Sequence, residues 1–337
     1  MPSTRIPRLL AAAGLALAFV LTACSSGGDD PSEASGSGAG AFPVTIEHAL
    51  GSTTIETEPE RVVTWGFGST DAALALGVVP VAMPAQSYGG DEQGVLPWIG
   101  DELTELGAET PTILQNDGTD VPVEQIAAAR PDVILANYSG LTQDQYDTLS
   151  RIAPTVAYPG EPWATPWRDV VSTVGQALGR SADAERLIAD TEAIIADKAA
   201  AYPQLQGRTV AAVWDTGDTF YVYKPADSRV EFLTDLGLVS APSVTELSTD
   251  ESSFYFTMSF EEVGKLTSDI LLSYADDAAA QERTLAQPWA QTMQQVTEGR
   301  VATVNGTELI AAVSPPTVLS LTWGIDAYLE ALAAAVK

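Results

Sequence analysis

The 337-residue chain has one cysteine, one histidine and only 16 basic residues against 45 acidic ones. Each shortage excludes a class of function. A single cysteine, Cys24, permits no disulfide within the chain, so the fold must rest on its core. A single histidine, His48, excludes a His-rich zinc or manganese site and a Ser-His-Asp triad. At the edge of an N-terminal strand, His48 reads as a surface or turn residue. A net charge of −29 repels nucleic acid and anionic headgroups and counts against an anionic ligand. Beyond Cys24 no run reaches the roughly 18 uncharged apolar residues of a membrane span. Neither a Gly-x-x-x-x-Gly-Lys phosphate loop nor a Gly-x-Ser-x-Gly elbow occurs. Gly66-Phe67-Gly68-Ser69-Thr70-Asp71 resembles a dinucleotide loop, but Asp71 replaces the third glycine and its charge would oppose a pyrophosphate. No feature supports an enzyme.

What is present begins with a basic and then apolar N-terminus. Arg5 and Arg8 precede the apolar run from Leu9 to Val20, and Leu21-Thr22-Ala23-Cys24 follows. This is the layout of a secretory signal, and its cleavage site resembles a lipobox, in which the cysteine is acylated. The expected processing is a lipoprotein signal peptide over 1–23 and a lipid (diacyl, palmitate) on Cys24. Ser25 to Gly40 is rich in Ser, Gly and Ala and has nothing to bury, so 24–41 reads as a flexible tether. The protein is then exported and held by lipid on the outer face of the cell membrane.

Folded sequence starts near Phe42, with a strand over Val44 to Ile46. Strand-like runs at Arg61 to Trp65, Val78 to Met83 and Asp132 to Leu135 alternate with helices over Thr70 to Leu76 and Val123 to Ala129. A second block has strands at Thr209 to Val213, Thr219 to Tyr223, Asp269 to Ser273 and Arg300 to Val304. Its helices are expected over Glu231 to Leu236, Phe260 to Leu266, Trp289 to Val296 and Pro316 to Ala334. Such alternation implies parallel sheets covered by helices on both faces.

Between the blocks, Val170, Val171, Val174, Ala177 and Leu178 recur at helical spacing, and Gly179 closes that helix. Ser181 can cap the next helix, whose apolar stripe is Leu187, Ile188, Ile194 and Ile195. At 1.5 Å per residue its roughly 20 residues span about 30 Å, enough to bridge two lobes. The boundaries are therefore an N-terminal lobe over 42–163, interlobe helices over 164–205 and a C-terminal lobe over 206–337. Pro122 to Leu135 also aligns without gaps to Ser259 to Leu272. In each copy a glutamate, Glu124 or Glu261, opens a short helix, and an aspartate, Asp132 or Asp269, starts a buried strand.

Glu60-Arg61-Val62-Val63, then Asp71 to Val81, and the segment Val123-Glu124-Gln-Ile-Ala-Ala-Ala-Arg130-Pro131-Asp132-Val-Ile, resemble one family. It is the iron-siderophore, haem and cobalamin class of ABC-transporter binding proteins, the class III periplasmic type. Trp167 to Ile195 resembles its interlobe helices, and Phe232 to Leu238 its C-lobe helix; Ala129 departs from the family's Leu. The resemblance implies an α/β fold of two Rossmann-like lobes with central parallel sheets, joined by one long interlobe α-helix. It also implies ligand in the cleft, and one glutamate per lobe that docks on permease arginines. The matching positions are Glu124 and Glu261, with Glu262 as the adjacent alternative.

Ligands of open α/β sheets sit beyond the carboxyl ends of the strands. Those positions hold Trp65, Phe67, Ser87, Tyr88 and Tyr138 in the first block, and Trp214, Tyr221, Tyr274 and Asn305 in the second. Many rings suit a bulky, partly apolar guest. Arg229 and Lys224 are the expected cleft cations, with Arg229 preferred for its forked guanidinium. With so few cations a ferric hydroxamate fits better than a triply anionic catecholate, and no side chain is expected to bind the metal directly. The expected partners are an iron-siderophore complex, an ABC permease and ATPase, and the membrane through the anchor, for a monomer without cofactor. A cobalamin or haem receptor of the same class, or a non-transport envelope interaction protein, is the alternative.

Overall fold

The computed structural model describes residues 42–118 and 120–336. The expected signal peptide, Cys24 and the whole tether lie outside the described residues. A short antiparallel hairpin, β1 (Val44–His48) and β2 (Gly51–Ile55), leads into an α/β region. This region runs β3 (Val62–Thr64), α1 (Ser69–Ala75), β4 (Ala82–Pro84), α2 (Pro97–Glu105) and β5 (Thr112–Leu114). It continues with α3 (Val123–Ala129), β6 (Val133–Leu135), α4 (Gln143–Leu149) and β7 (Thr155–Val156). Two helices follow, α5 (Trp167–Ala177) and α6 (Ser181–Ala200).

The second region begins with β8 (Thr209–Asp215), β9 (Phe220–Tyr223), α7 (Ser228–Asp235), β10 (Val239–Ser240) and α8 (Pro242–Leu247). Then come β11 (Tyr255–Met258), β12 (Ile270–Ala275), α9 (Ala278–Leu285), α10 (Gln294–Thr297) and β13 (Val301–Asn305). Two helices, α11 (Thr307–Val313) and α12 (Val318–Ala334), end the described chain.

The first sheet is wholly parallel, in the order β5-β4-β3-β6-β7. Its inner strands β3, β4 and β6 are buried at every position, as uninterrupted apolar runs must be when helices cover both faces. The chain winds outward from β3 to β5 and then returns to place β6 on the other side. The switch point is therefore between β3 and β6. The second sheet runs β11-β9-β8-β12-β13 with β10 beside β8, and its switch point is between β8 and β12. It is mixed, because β9 and β11 are antiparallel. The expected parallel strand at Thr219 to Tyr223 is instead the return arm of a hairpin, since the turn at Gly217 is too short for a crossover helix.

The repeat has a physical basis at the opposite strand ends. The Asp132 carboxylate accepts the backbone N–H of Arg61 at 2.9 Å, tying the start of β6 to β3. Asp269 accepts the Thr209 N–H at 2.9 Å, tying β12 to β8 in the same way. Only the leading helix differs. Glu261 opens no α-helix; Val263–Lys265 is a single 3-10 turn, because Val263 and Leu266 are already buried by an i→i+3 fold-back.

Other expectations shift. The strand expected from Val78 forms only at Ala82, since Gly77 with φ +76 turns the chain back and Val78 N–H bonds Ala73. The helix over 289–296 is broken by extended Met293 into a 3-10 turn and α10. α12 starts at Val318, after the proline pair, because Thr317 supplies a capping box with Ser320. Arg180, not Ser181, is the N-cap residue of α6, and Ile194 is 41 % exposed while Ala184, Thr191, Ile195 and Ala199 form the buried stripe.

α6 has the expected 20 residues but does not join the lobes alone. α12 packs against α6, against α1 and α2 of the first region, and against β13 and α11 of the second. Arg168 on α5 bonds Glu192 of α6 at 2.6 Å and Asp235 of α7 at 2.9 Å. Arg180 reaches the Leu76 carbonyl beyond α1 at 3.2 Å. Among the described residues no helix is long and apolar enough to cross a membrane.

Candidate ligand cleft

The carboxyl ends of β3 and β6 bring Phe67 and Tyr138 together. The Phe67 N–H donates to the Tyr138 carbonyl at 2.9 Å, and the two rings meet edge to face at 5.9 Å. Gly66 permits this approach: its φ is +81, and a Cβ there would collide with the Tyr138 carbonyl oxygen. Trp65 and Tyr138 are buried. The Tyr138 phenol is pushed up to about 12, first by burial. Its hydroxyl lies 3.1 Å from Ser228 Oγ, across from the second region.

One residue of this wall escaped the sequence reading. Trp163 is 42 % exposed, its ring lies against the α-carbon of Gly140, and it meets Phe67 edge to face at 6.0 Å. Its backbone is left-handed, with φ +59, a strained conformation for a bulky residue. The available signal was a lone tryptophan in a Pro/Gly-rich loop, Pro159 to Pro166.

The carboxyl ends of β8 and β12 place Trp214 beside Tyr274, with centroids 5.6 Å apart, and Trp214 beside Tyr88 of the first region at 6.2 Å. Tyr221 pairs in register with Trp214 and touches Tyr255 at 5.4 Å. Tyr274 is buried, with its hydroxyl 3.5 Å from that of Tyr328. It supports the cleft from below and does not face it. Tyr88 is the exposed ring on this side, and its hydroxyl donates to Asp276 Oδ1 at 2.6 Å.

The expected cations are already engaged. Arg229 donates to Asp227 Oδ2 and to Ser314 Oγ, both at 2.6 Å, and its guanidinium lies 4.2 Å over the Tyr223 ring. Its side chain is 15 % exposed. Burial alone would lower the guanidinium, but the Asp227 charge outweighs that and holds it above its ordinary range. Lys224 is turned from the cleft; it bonds the carbonyls of Thr249 and Ser252 beside β11.

A cavity of about 340 Å³ opens between Phe67, Gln86, Tyr88 and Asn116 on one side and Ala311 and Ser314 on the other. A smaller one of about 120 Å³ shares Phe67, Gln86 and Asn116 and extends to Trp65 and Trp163. Ser87 lines the larger cavity, whereas His48 lines neither. His48 is not a surface residue: it is buried, its Nε2 lies 2.9 Å from Thr53 Oγ1, and its ring meets Tyr146 at 5.0 Å. Asp71, out of place in a dinucleotide loop, has a structural use. It accepts from Trp98 Nε1 at 2.8 Å and from Thr317 Oγ1 at 2.5 Å, and burial pushes its carboxyl up.

A wider polar hollow of about 620 Å³ lies at the other strand ends, by Asp269 and Arg300. It is not on the ligand side of the sheet, and Arg300 is bonded to the Ser268 and Asp269 carbonyls. Glu124, in the first turn of α3, is exposed, and so is Glu261. Glu262 is paired with Lys265. Among the described residues no group of three or more His, Cys, Asp or Glu could hold a metal ion.

Residues 62–306 match the family described as periplasmic binding protein. The chain belongs to the periplasmic binding protein family. The resemblance carried by Glu60 to Val63 and Val123 to Ile134 is thus shown. This binding protein is 29 % identical over 283 residues, 81 % of each chain, to the probable siderophore-binding lipoprotein YfiY of Bacillus subtilis. Its fold is similar to that of PiaA from Streptococcus pneumoniae, solved in complex with ferrichrome. The TM-score is 0.79 at 36 % identity, over 87 % of this chain and 98 % of that one. A periplasmic solute binding protein from Mycobacterium smegmatis aligns with a TM-score of 0.74 at 30 % identity, over 87 % and 99 %.

Proposed function

We propose that this binding protein captures a ferric siderophore, of the hydroxamate type, between its lobes and delivers it to an ABC permease. It acts as an exported monomer anchored by lipid on Cys24, and it is not an enzyme. The observation that carries the ligand class is the interlobe cavity: rings, amides and aliphatic side chains line it with no Lys, Arg or His among the described residues, and Arg229, which bonds the lining residue Ser314, is already paired with Asp227. A triply anionic complex brought there would leave buried charge unpaired, at high cost. A hydroxamate complex needs only ring faces and a few hydrogen bonds. The ferrichrome in PiaA supports the same class.

In this reading Phe67, Tyr88, Trp163, Trp214 and Tyr221 touch the ligand, and Arg229 presents its remaining donors. Trp65, Tyr138 and Tyr274 hold those groups in place. The docking pair is Glu124 and Glu261. Haem ligated by histidine is disfavoured, since His48 lines neither cavity.

Tryptophan fluorescence decides between ligand classes. Ferric hydroxamate is expected to quench strongly, with ferric catecholate, haem and cobalamin inert at the same concentration. Trp163→Ala is expected to weaken hydroxamate binding about 30-fold, the scale of an exposed aromatic hot spot, without changing the melting temperature. Quenching by haem or cobalamin alone would replace the ligand, and quenching by none of the four would favour an envelope interaction role.

A further inference from the structure

The charge around the cleft is one-sided. No Lys, Arg or His lines either cavity among the described residues, whereas Asp71 and Asp117 line the larger one. Arg229 is paired, and Lys224 is spent on carbonyls elsewhere. Beside the lining residue Tyr88 stands one more carboxylate. Asp276 follows β12, is exposed, and forms no ion pair among those found in the described residues. Its Oδ1 accepts the hydroxyl of Tyr88, whose ring lines the cavity and leans on Trp214. That bond joins a loop of the first lobe to a loop of the second and fixes the carboxylate beside the cavity wall. An acceptor-only group held there attracts positive charge and repels negative charge at every approach.

We propose that Asp276, held by Tyr88, selects ligands by charge, so that the cleft prefers a ferric hydroxamate complex of net positive charge over a neutral one, and a neutral one over an anion. The inference rests on the ferric-siderophore reading and deepens it. The physical scale is modest. A carboxylate in partly solvated surroundings, several ångströms from a bound charge, is worth roughly a three- to tenfold change in affinity. The effect is sensitive to salt, because the screening length is about 8 Å at physiological ionic strength.

One ligand skeleton isolates the effect. A linear trihydroxamate ending in a free primary amine forms a monocationic ferric complex; its N-acetyl derivative forms a neutral complex, and its N-succinyl derivative an anionic one. Dissociation constants for the three are measured by fluorescence quenching at low salt and at about 0.5 M salt. Asp276→Asn keeps an oxygen to accept from Tyr88 and removes only the charge.

The expected order is cation, then neutral, then anion, each step roughly three- to tenfold at low salt and compressed at high salt. In the variant the cation approaches the neutral complex, whose affinity is unchanged. Equal affinities in the wild-type protein, or a preference that Asp276→Asn leaves intact, overturn the role of Asp276 while leaving the siderophore reading standing. If none of the three complexes binds, the siderophore reading fails, and the charge assignment fails with it.

Discussion

The two lobes end their sheets at the same cleft but finish those ends differently. In the N-terminal lobe two rings stay accessible above the buried Trp65 and Tyr138: Phe67 is half-buried, and Trp163, in the loop after β7, is exposed on a strained backbone. In the C-terminal lobe Trp214 and Tyr221 are half-buried, but they rest on rings sunk into the core, and the cation beside them is paired in advance. Tyr274 and Tyr223 are buried, and Arg229 is held by Asp227 and Ser314. On the proposed reading the contrast divides the labour of binding. One wall offers unfilled contact surface, and the other sets a fixed electrostatic environment that costs no rearrangement when the ligand arrives.

At the far ends of the sheets the lobes converge again, with Asp132 and Asp269 in one role and a surface glutamate beside each sheet. If that symmetry serves docking, both lobes must be engaged at once. Glu124→Ala with Glu261→Ala is expected to abolish uptake of labelled ferric hydroxamate by cells while leaving its dissociation constant unchanged, and each single variant is expected to be partial. Wild-type uptake by the double variant would refute the docking assignment.

The next largest effect separates the two walls. Asp227→Ala leaves a largely buried guanidinium without its anion and is expected to cost about 3–5 kcal/mol in urea unfolding. Trp163→Ala, on the other wall, is expected to weaken binding and leave stability unchanged. Equal stability of wild type and Asp227→Ala would show that Ser314 and the Tyr223 ring suffice for Arg229.

The smallest effect is in pH. His48 in the N-terminal hairpin is lowered, first by burial, with the nearby Glu47 opposing. Its imidazole is then neutral in the folded protein while the unfolded chain takes up a proton, so stability present above the ordinary imidazole range is lost as pH falls below it. Asp269 in the C-terminal lobe is also lowered, first by the Thr209 N–H, so its contribution persists until pH falls below the ordinary carboxylate range. Melting curves from pH 7.5 to 5 are expected to decline, and His48→Gln to flatten that decline, whereas Asp269→Asn leaves its slope unchanged. An unaltered slope in His48→Gln would assign the acid sensitivity to another group.

How much of this was legible depends on the range of the forces involved. β3, β6 and α3 could be placed within a residue or two, because an apolar run such as Val133-Ile134-Leu135 between Pro131-Asp132 and a polar loop has one economical use. Tyr138 and Tyr274 were correctly placed at the strand ends, but their burial depends on Ser228 and Tyr328, 90 and 54 residues away. The anion of Arg229, Asp227, stands two residues away in sequence, but that the pair is closed and held against Ser314, 85 residues on, is set by the fold. Lys224 is engaged by Thr249 and Ser252, 25 and 28 residues on in the loop before β11, which sequence proximity does not show. Trp163 was passed over because a loop has no periodicity to mark which face it shows.

By itself the sequence determined the alternation of strand and helix, the pairing of the lobes and the aromatic strand ends, since these follow from local apolar patterning and chain punctuation. Only the tertiary structure decided which rings stay bare, which cation is already spent and that Asp276 meets Tyr88 beside the cavity wall. Those outcomes depend on contacts between residues as much as 188 positions apart. Burial is fixed by three-dimensional neighbours, and a local pair such as Asp227 and Arg229 is closed only by the fold around it.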